Sequence, residues 1–431
     1  MTKYDLLGIG TGPFNLSLLA MLKKTSLNYL FKEKKSEINW HSEIVFNDSL
    51  MQTSCYKDLT TSVDPTSQYT FFNYLVSEGL FYTFMNTGRT VVYRREYEMY
   101  LQWAAKKLAS DIELESEVYH IKAHKNYFEV HSRNSLKKNN LKVDLAKNLC
   151  IGTGPVARIP IFAKDQISAT LFHAKSHFLK GNILENKNVV IIGGGQTGLE
   201  IFRNALHHQW GKFRSIKLLS SRPNLQPLDE SPFTNEYFTP NYVNCFYKLD
   251  QVDKDHYTHS QKLASDGNTP QYLDYLYNDL YQMKYIQQDE RIIELMPNRK
   301  VNQIHKESNH YQLNYFNQFT KKDETLMADI IILCTGFETK APAFFEEIMD
   351  QFQMDDAGRM MVQKDFSLLE KSRNYNGKIY VQNFSRHGHG ISEPQTSLMP
   401  WRSATIINSL LGHEFYQINQ DKPNFINFCR D

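Results

Sequence analysis

Two stretches of the chain carry the same succession of apolar and polar positions. In YDLLGIGTGPFNLSLLAML (residues 4–22) and VVIIGGGQTGLE (residues 189–200), apolar β-formers enter a glycine turn and continue into a helical pattern. The first stretch predicts a strand at 4–9, a helix at 13–24 and a second strand at 27–32. The other repeats that order, with a strand at 188–192, a helix at 196–208 and a strand at 215–220. Such alternation argues for parallel sheets covered by helices on both faces. A quieter repeat agrees with it: KNLCIGTGP (147–155) and ADIIILCTGFE (328–338) each place a strand before a Thr-Gly turn. The expected class is therefore α/β, with two Rossmann-like dinucleotide-binding domains in series, each with its own last strand.

Between 223 and 285 the apolar β-runs disappear, and a Tyr/Leu-rich helical pattern occupies YLDYLYNDLYQM (272–283). This predicts a small, mostly helical insertion that covers the substrate cleft. Its Tyr/Leu stripe reads more simply as helix core than as a substrate wall. The tail after 338 must return to the first domain if a cleft is to form between the two. The expected division is 1–165 with 338–431 for the first domain, 166–337 for the second, and 223–285 for the insertion within it. RNSLKKNNLKVD (133–144) reads as a solvated hairpin or loop.

Composition narrows the functional classes. The chain has 431 residues, 41% apolar and 22% charged, the balance of an ordinary globular protein. A formal net charge of +2 gives no bulk electrostatic case for nucleic acid or an anionic membrane as partner. No run approaches a membrane span, and Asp5 with the glycines after it breaks any signal-peptide pattern, so a cytoplasmic location is expected. The five cysteines are far apart and form no CxxC pair, which fits a reducing compartment and excludes a redox dithiol of that type. Cys150 and Cys334 end apolar runs and read as buried small hydrophobes.

The glycine turns carry the candidate chemistry. In the first, Gly8 allows the tight turn, Gly10 and Gly12 let the backbone approach a pyrophosphate, and Pro13 opens the helix. Glu33 ends the second strand, where an acid takes ribose hydroxyls. The second turn has Gly193, Gly195, Gln196 and Gly198, but its second strand ends at Ser221 and Arg222 with no acid. Hydroxyl and guanidinium suit a 2′-phosphate, so FAD is expected in the first fold and NADPH in the second, beside the Thr335–Gly336 turn. Without a cysteine pair to receive electrons, a reduced flavin must pass them to another carrier, to quinone or to oxygen. The histidines at 207/208, 256/259 and 387/389 lack metal-ligand spacing, and no metal is expected.

The segments between these landmarks resemble a known family. GIGTGPFNLS (8–17), NWHSEI (39–44), LMQTSCYKDL (50–59), DPTSQYTFFNYL (64–75) and HGISEPQTSLMPWRSA (389–404) are similar to the N-hydroxylating flavoprotein monooxygenases of siderophore biosynthesis. That family holds lysine N6- and ornithine N5-hydroxylases. The resemblance runs from about residue 4 to about 412 and is nearest to the lysine branch, whose relatives include enzymes acting on histamine. It implies that NADPH reduces FAD, that O2 adds to the reduced flavin, and that the C4a-hydroperoxyflavin hydroxylates the terminal primary amine of a small substrate. It also implies a homo-oligomer. By position, Trp40, His41 and Gln52 would lie near the flavin ring, with Gln52 as the catalytic residue facing both flavin and nicotinamide. Lys57 would bind a substrate α-carboxylate, Asn235 the substrate backbone, and Ser397 would line the substrate end. SDGNTPQYLDY (265–275) follows the lysine branch, whereas Ser54-Cys55-Tyr56 departs from the aliphatic pair expected before Lys57. The rival class is a flavoprotein that binds both nucleotides and only passes electrons to a partner or senses redox state.

Overall fold

The computed structural model describes residues 3–40, 44–46, 48–418 and 425–429. In it the two repeats become two sheets. At the centre of the first, Lys3–Ile9 runs parallel to Tyr29–Lys32 and to Lys142–Ile151, with Gly8 beside Phe31 and Cys150. Lys142–Ile151 is shared: its first half pairs with Tyr127–Asn134 and its last three residues with Ile379–Val381 from near the C-terminus. Ser116–His124 and Ile112–Glu113 complete seven strands. The stretch read as a solvated hairpin is the turn between Tyr127–Asn134 and Lys142–Ile151.

The second sheet is purely parallel, in the order Leu171–His173, Ile330–Leu333, Asn188–Ile192, Ser215–Leu219, Ile292–Met296. Val189 to Ile192 are all buried, as expected of a strand covered on both faces. A three-stranded antiparallel sheet, Arg299–Glu307, His310–Asn317 and Lys322–Ala328, turns Ile304, Leu313 and Tyr315 onto it. The sequence reading had no element for that sheet.

All ten residues of the first glycine helix, Pro13–Leu22, are buried, so it reads apolar almost all round. Its polar members are satisfied: Asn15 donates to the Gly10 carbonyl at 2.7 Å and Ser17 to the Leu59 carbonyl at 2.6 Å. The second glycine helix, Gln196–Leu206, stops two residues before its expected end, because His208 takes a left-handed backbone (φ 60°). His207 is its C-cap residue, with its N–H donating to the Arg203 carbonyl at 3.2 Å, while its Nε2 meets Asp279 at 2.8 Å. In the insertion, Pro240–Tyr247 and Gln251–Ser260 are capped by the side chains of Thr239 and Asp250. In Pro270–Tyr281 only Tyr272 and Leu276 are buried, and Tyr277 is 75% exposed, so the Tyr/Leu stripe is core on one side only.

Where the chain crosses between the sheets, Val156–Ala157 pairs antiparallel with Phe337–Glu338. The reducing-compartment expectation meets one counter-observation. Cys245, in the insertion, and Cys429, at the C-terminal end, form a disulfide across a sequence separation of 184, which no spacing rule reads. Cys150 is buried as expected, whereas Cys334 is only partly so. Among the described residues no helix is long and apolar enough to cross a membrane.

One buried cation tests the first sheet. Lys32 is wholly buried and lies 2.8 Å from Asp144 and 3.2 Å from Glu113. Lys32→Met should lower unfolding free energy in urea by about 3–5 kcal/mol, because it strands the buried Asp144 carboxylate. Adding Asp144→Asn should recover more than half of the loss; a single variant within ~1 kcal/mol of the parent would mean the pair is not desolvated.

Candidate active site

The first glycine turn is shaped by contact with its own fold. Gly10 has φ +81°, and a Cβ there would lie 2.6 Å from the Gly152 carbonyl oxygen; its N–H donates to the Lys32 carbonyl at 2.8 Å. Gly12 caps the helix, and a Cβ on it would meet nothing within 4 Å. The protein's own atoms therefore do not demand glycine at 12, and the open helix N-terminus suits an anionic pyrophosphate. Glu33 reaches over the turn and accepts the Thr11 N–H at 2.8 Å and the Lys35 N–H at 3.0 Å. The Thr11 hydroxyl beside it is buried without a partner among the described residues. These features fit the adenine-nucleotide half of FAD.

The second turn repeats the construction. Gly193 has φ +127°, its N–H donates to the Leu219 carbonyl at 2.8 Å, and a Cβ would fall 2.1 Å from the Cys334 carbonyl oxygen. A Cβ at Gly198 would fall 2.0 Å from the Gly193 carbonyl oxygen, while Gly195, the helix cap, again faces open space. Ser221 is exposed and Arg222 half-buried. No acid stands where Glu33 stands in the first fold. Arg222 donates to the Asp266 carbonyl at 3.0 Å, so it links the strand end to the insertion. The Thr335 hydroxyl donates to the Arg158 carbonyl at 2.5 Å, and the Gly336 carbonyl accepts the Arg158 N–H and lies 3.0 Å from His173 Nε2. The residues present fit a dinucleotide here too.

Several of the predicted residues converge on residues 265–269. Gln52 Nε2 lies 3.2 Å from the Gly267 carbonyl oxygen and 3.4 Å from Thr269 Oγ1. The Gln196 side-chain carbonyl accepts the Thr269 N–H at 2.8 Å, and Asn268 donates to the Gly194 carbonyl at 3.1 Å. Arg386, from the C-terminal part of the chain, donates to Ser265 Oγ at 3.0 Å. Gly267 is required by proximity: a Cβ there would sit 2.2 Å from Leu228 Cα. Trp40 packs edge-on against Tyr97, at 5.8 Å between centroids, and its N–H donates to Glu98. His41 lies outside the described residues.

Lys57 is half-buried, and burial pulls its ammonium below the usual lysine range. Among the described residues no carboxylate pairs with it. Its neighbour Asp58, which sequence reasoning passed over, is the anchor of the loop. The Asp58 carboxylate accepts the N–H groups of Thr60, Thr61 and Phe71 and the Thr61 hydroxyl, at 2.6–2.9 Å. In the departure before Lys57, Cys55 points inward while Tyr56 is 52% exposed and leans on Phe72. Asn235 is exposed on a short turn, and no hydrogen bond or ion pair among the described residues joins Lys57, Asn235 and Ser397.

Ser397 is buried and its hydroxyl has no partner among the described residues; the same holds for the hydroxyls of Ser385 and Ser392 and the Gln382 amide nitrogen. Buried polar atoms seldom lack partners, and these four lie close together in the chain, within 382–397. Sequence reasoning also missed Arg402 and Glu393 next to it, a buried pair 3.2 Å apart whose guanidinium lies 4.7 Å from the Phe14 ring behind the first turn. The only signal was that Glu393 and Arg402 are the sole Asp, Glu, Lys or Arg residues in HGISEPQTSLMPWRSA (389–404). His389 is a core histidine: burial, then Arg402, push it down to about 3, and it stacks on Phe366 at 4.3 Å. Among the described residues no three His, Cys, Asp or Glu side chains gather as metal ligands would.

Comparison with known proteins bears on this arrangement. Residues 2–339 match the family model described as L-lysine 6-monooxygenase/L-ornithine 5-monooxygenase. The L-lysine N6-monooxygenase of Escherichia coli is 34% identical over 416 residues, covering 96% of each chain. A putrescine N-hydroxylase of Acinetobacter baumannii is 30% identical over 421 residues, 97% of this chain and 92% of that one. Among solved structures, the FAD-bound cadaverine monooxygenase of desferrioxamine biosynthesis from Erwinia amylovora superposes with a TM-score of 0.92. It is 25% identical, and the match covers 100% of this chain and 99% of that one.

The two kinds of glycine should separate by experiment. Gly193→Ala meets backbone and a left-handed φ, so the apoprotein should lose several kcal/mol, on the order of 3, or fail to fold. Gly195→Ala and Gly12→Ala should leave apoprotein melting nearly unchanged, yet weaken NADP⁺ and FAD respectively by about tenfold or more, because the methyl enters the space of the pyrophosphate. Equal loss of fold stability in all three would refute the distinction.

Proposed function

The chain belongs to the L-lysine 6-monooxygenase/L-ornithine 5-monooxygenase family, and from that premise we propose that its substrate is an amino acid carrying a terminal primary amine, with L-lysine first. It is an FAD- and NADPH-dependent amine N-monooxygenase of the siderophore-pathway type, built on an α/β fold with two Rossmann-like units. That class removes the electron shuttle as a reading of the whole protein.

The observation that carries the substrate is Lys57. A half-buried ammonium with no carboxylate among the described residues to neutralise it is a ready anchor for a substrate carboxylate. A diamine has nothing to offer it. In this assignment Gly8, Gly10, Gly12, Pro13 and Glu33 hold FAD in a domain of residues 1–165 and 338–431. Trp40 would lie near its ring, as the resemblance implies; His41, expected beside it, lies outside the described residues. Gly193, Gly195, Gln196, Gly198, Ser221, Arg222, Thr335 and Gly336 hold NADPH in 166–337, and the 223–285 insertion covers the substrate.

Reduced by NADPH, bound FAD supplies the activation of O2. The protein's own work is then positional. Lys57 takes the α-carboxylate, Asn235 and Ser397 orient the chain, and the amine must arrive neutral so that its lone pair is free to attack. Gln52 holds the covering segment through Gly267 and Thr269 and would contact the bound coenzymes. No general base is required of the side chains in place, because the oxygenating power belongs to the cofactor.

The test is hydroxylamine formed per NADPH consumed with L-lysine, L-ornithine, putrescine, cadaverine and histamine in parallel. Tight coupling to lysine supports the reading; coupling only to a diamine or histamine overturns the role of Lys57. Lys57→Met should raise KM for lysine about 10- to 100-fold and leave KM for cadaverine nearly unchanged. The pH dependence follows in sign. Since burial lowers the Lys57 pKa, rising pH should discharge it earlier than an exposed lysine, weakening carboxylate binding at alkaline pH in the parent. A KM for lysine that stays flat there, or rises equally in the methionine variant, would sink the anchor.

A further inference from the structure

We propose that the ion pair between half-buried Arg94 and buried Glu200 is a positioning device: it locks the two dinucleotide folds in register and, through Gln196, holds Thr269 and the covering segment against Gln52. The inference rests on the assignment of NADPH to the second glycine turn.

Arg94 opens the helix Arg94–Lys107, whose Tyr97, Tyr100 and Leu101 belong to the same core as the first glycine helix. Glu200 stands on the second glycine helix and is wholly buried. Arg94 Nη1 lies 2.9 Å from Glu200 Oε2. The other Glu200 oxygen accepts Gln196 Nε2 at 2.9 Å, which turns the Gln196 carbonyl toward the Thr269 N–H at 2.8 Å. Thr269 Oγ1 and the Gly267 carbonyl in turn face Gln52 Nε2. The path leaves the first fold at Arg94, passes through the second fold and the insertion, and returns to the first fold at Gln52.

The charge is what gives this path a direction. An ionised carboxylate only accepts, so Gln196 must present its amide nitrogen to Glu200 and its oxygen to Thr269. A neutral amide at 200 could present either atom, and Gln196 could then turn over and leave the Thr269 N–H without an acceptor. Burial pushes the Glu200 carboxyl up and Arg94 pulls it back, so the charged form depends on the partner from the other fold. Coenzyme seated at Gly195 and Gln196 would thus be held in register with the flavin side by a carboxylate that touches neither coenzyme.

A second fold-to-fold contact serves as the control. Asp48 accepts from Arg203 at 2.5 Å, Asn204 at 3.2 Å and Tyr272 at 3.0 Å, but no hydrogen bond in this set involves Gln196. The holoenzyme would be compared as parent, E200Q, R94M/E200Q and D48N; the double variant leaves no unpaired buried charge and keeps the test open if a single variant folds poorly. Without NADP⁺, amide exchange at Thr269 should quicken about tenfold in E200Q and R94M/E200Q and stay at the parent rate in D48N. The Kd for NADP⁺ should rise by a similar factor, about tenfold, and more of the NADPH consumed should appear as hydrogen peroxide, with FAD retention unchanged. Parental exchange at Thr269 in both Glu200 variants, or an equal loss in D48N, overturns the positioning role. Failure of the parent to bind NADP⁺ would instead strike the coenzyme assignment, while the exchange measurement, made without it, still decides the latch.

Discussion

Each dinucleotide fold is organised around one backbone-on-backbone contact. In the first, the glycine turn rides on the carbonyl of Gly152; in the second, it rides on the carbonyl of Cys334. Both carbonyls belong to the turn that follows the parallel strand paired beside the opening strand, Lys142–Ile151 in one fold and Ile330–Leu333 in the other, so the approach ties the start of each fold to a strand more than a hundred residues on. No side chain fits between them. The contact also aims each helix N-terminus across the strand ends, where partial positive charge and free N–H groups face outward. Immediately after these turns the chain crosses over, and the two crossings pair as Val156–Ala157 with Phe337–Glu338.

Directional polar contacts then set one fold against the other. Ile44 and Phe46 from the first fold's chain do enter the second core, but apolar contact tolerates sliding. Asp48 and Glu200 do not, because each must satisfy a buried or half-buried charge with named partners on the opposite side. Residues 265–269 are the place where these demands meet. The backbone of that segment is held by Gln52, Gln196 and Arg222, and its own Asn268 donates to the Gly194 carbonyl, so the insertion is tied to the second glycine turn and to the first fold.

Much of the plan was legible along the chain because its causes are local. Glycine turns, apolar strand runs and the loss of β-pattern after 223 each depend on neighbours a few residues away. Helix ends were off by two residues at Leu22 and Leu206, where a turn conformation such as that of His208 outweighs periodicity. The antiparallel sheet over 299–328 went unread although its central strand His310–Asn317 alternates strictly, because the flanking strands Arg299–Glu307 and Lys322–Ala328 bury only three residues between them. At the site, Lys57 was visible through its motif, yet the reason its loop holds shape is Asp58, whose bonds reach forward to Phe71.

The sequence by itself determined the two folds and their order, since strand, turn and helix lie within about thirty positions. Tertiary structure alone decided the pairs that lie far apart in the chain. Arg94 found Glu200, Gln52 found Thr269, Arg402 folded its charge back behind Phe14, and Cys245 met Cys429. Nothing in spacing announces such pairs. They exist because burying a charge or a polar group requires a partner, and the partner is whichever group the packed folds bring within reach.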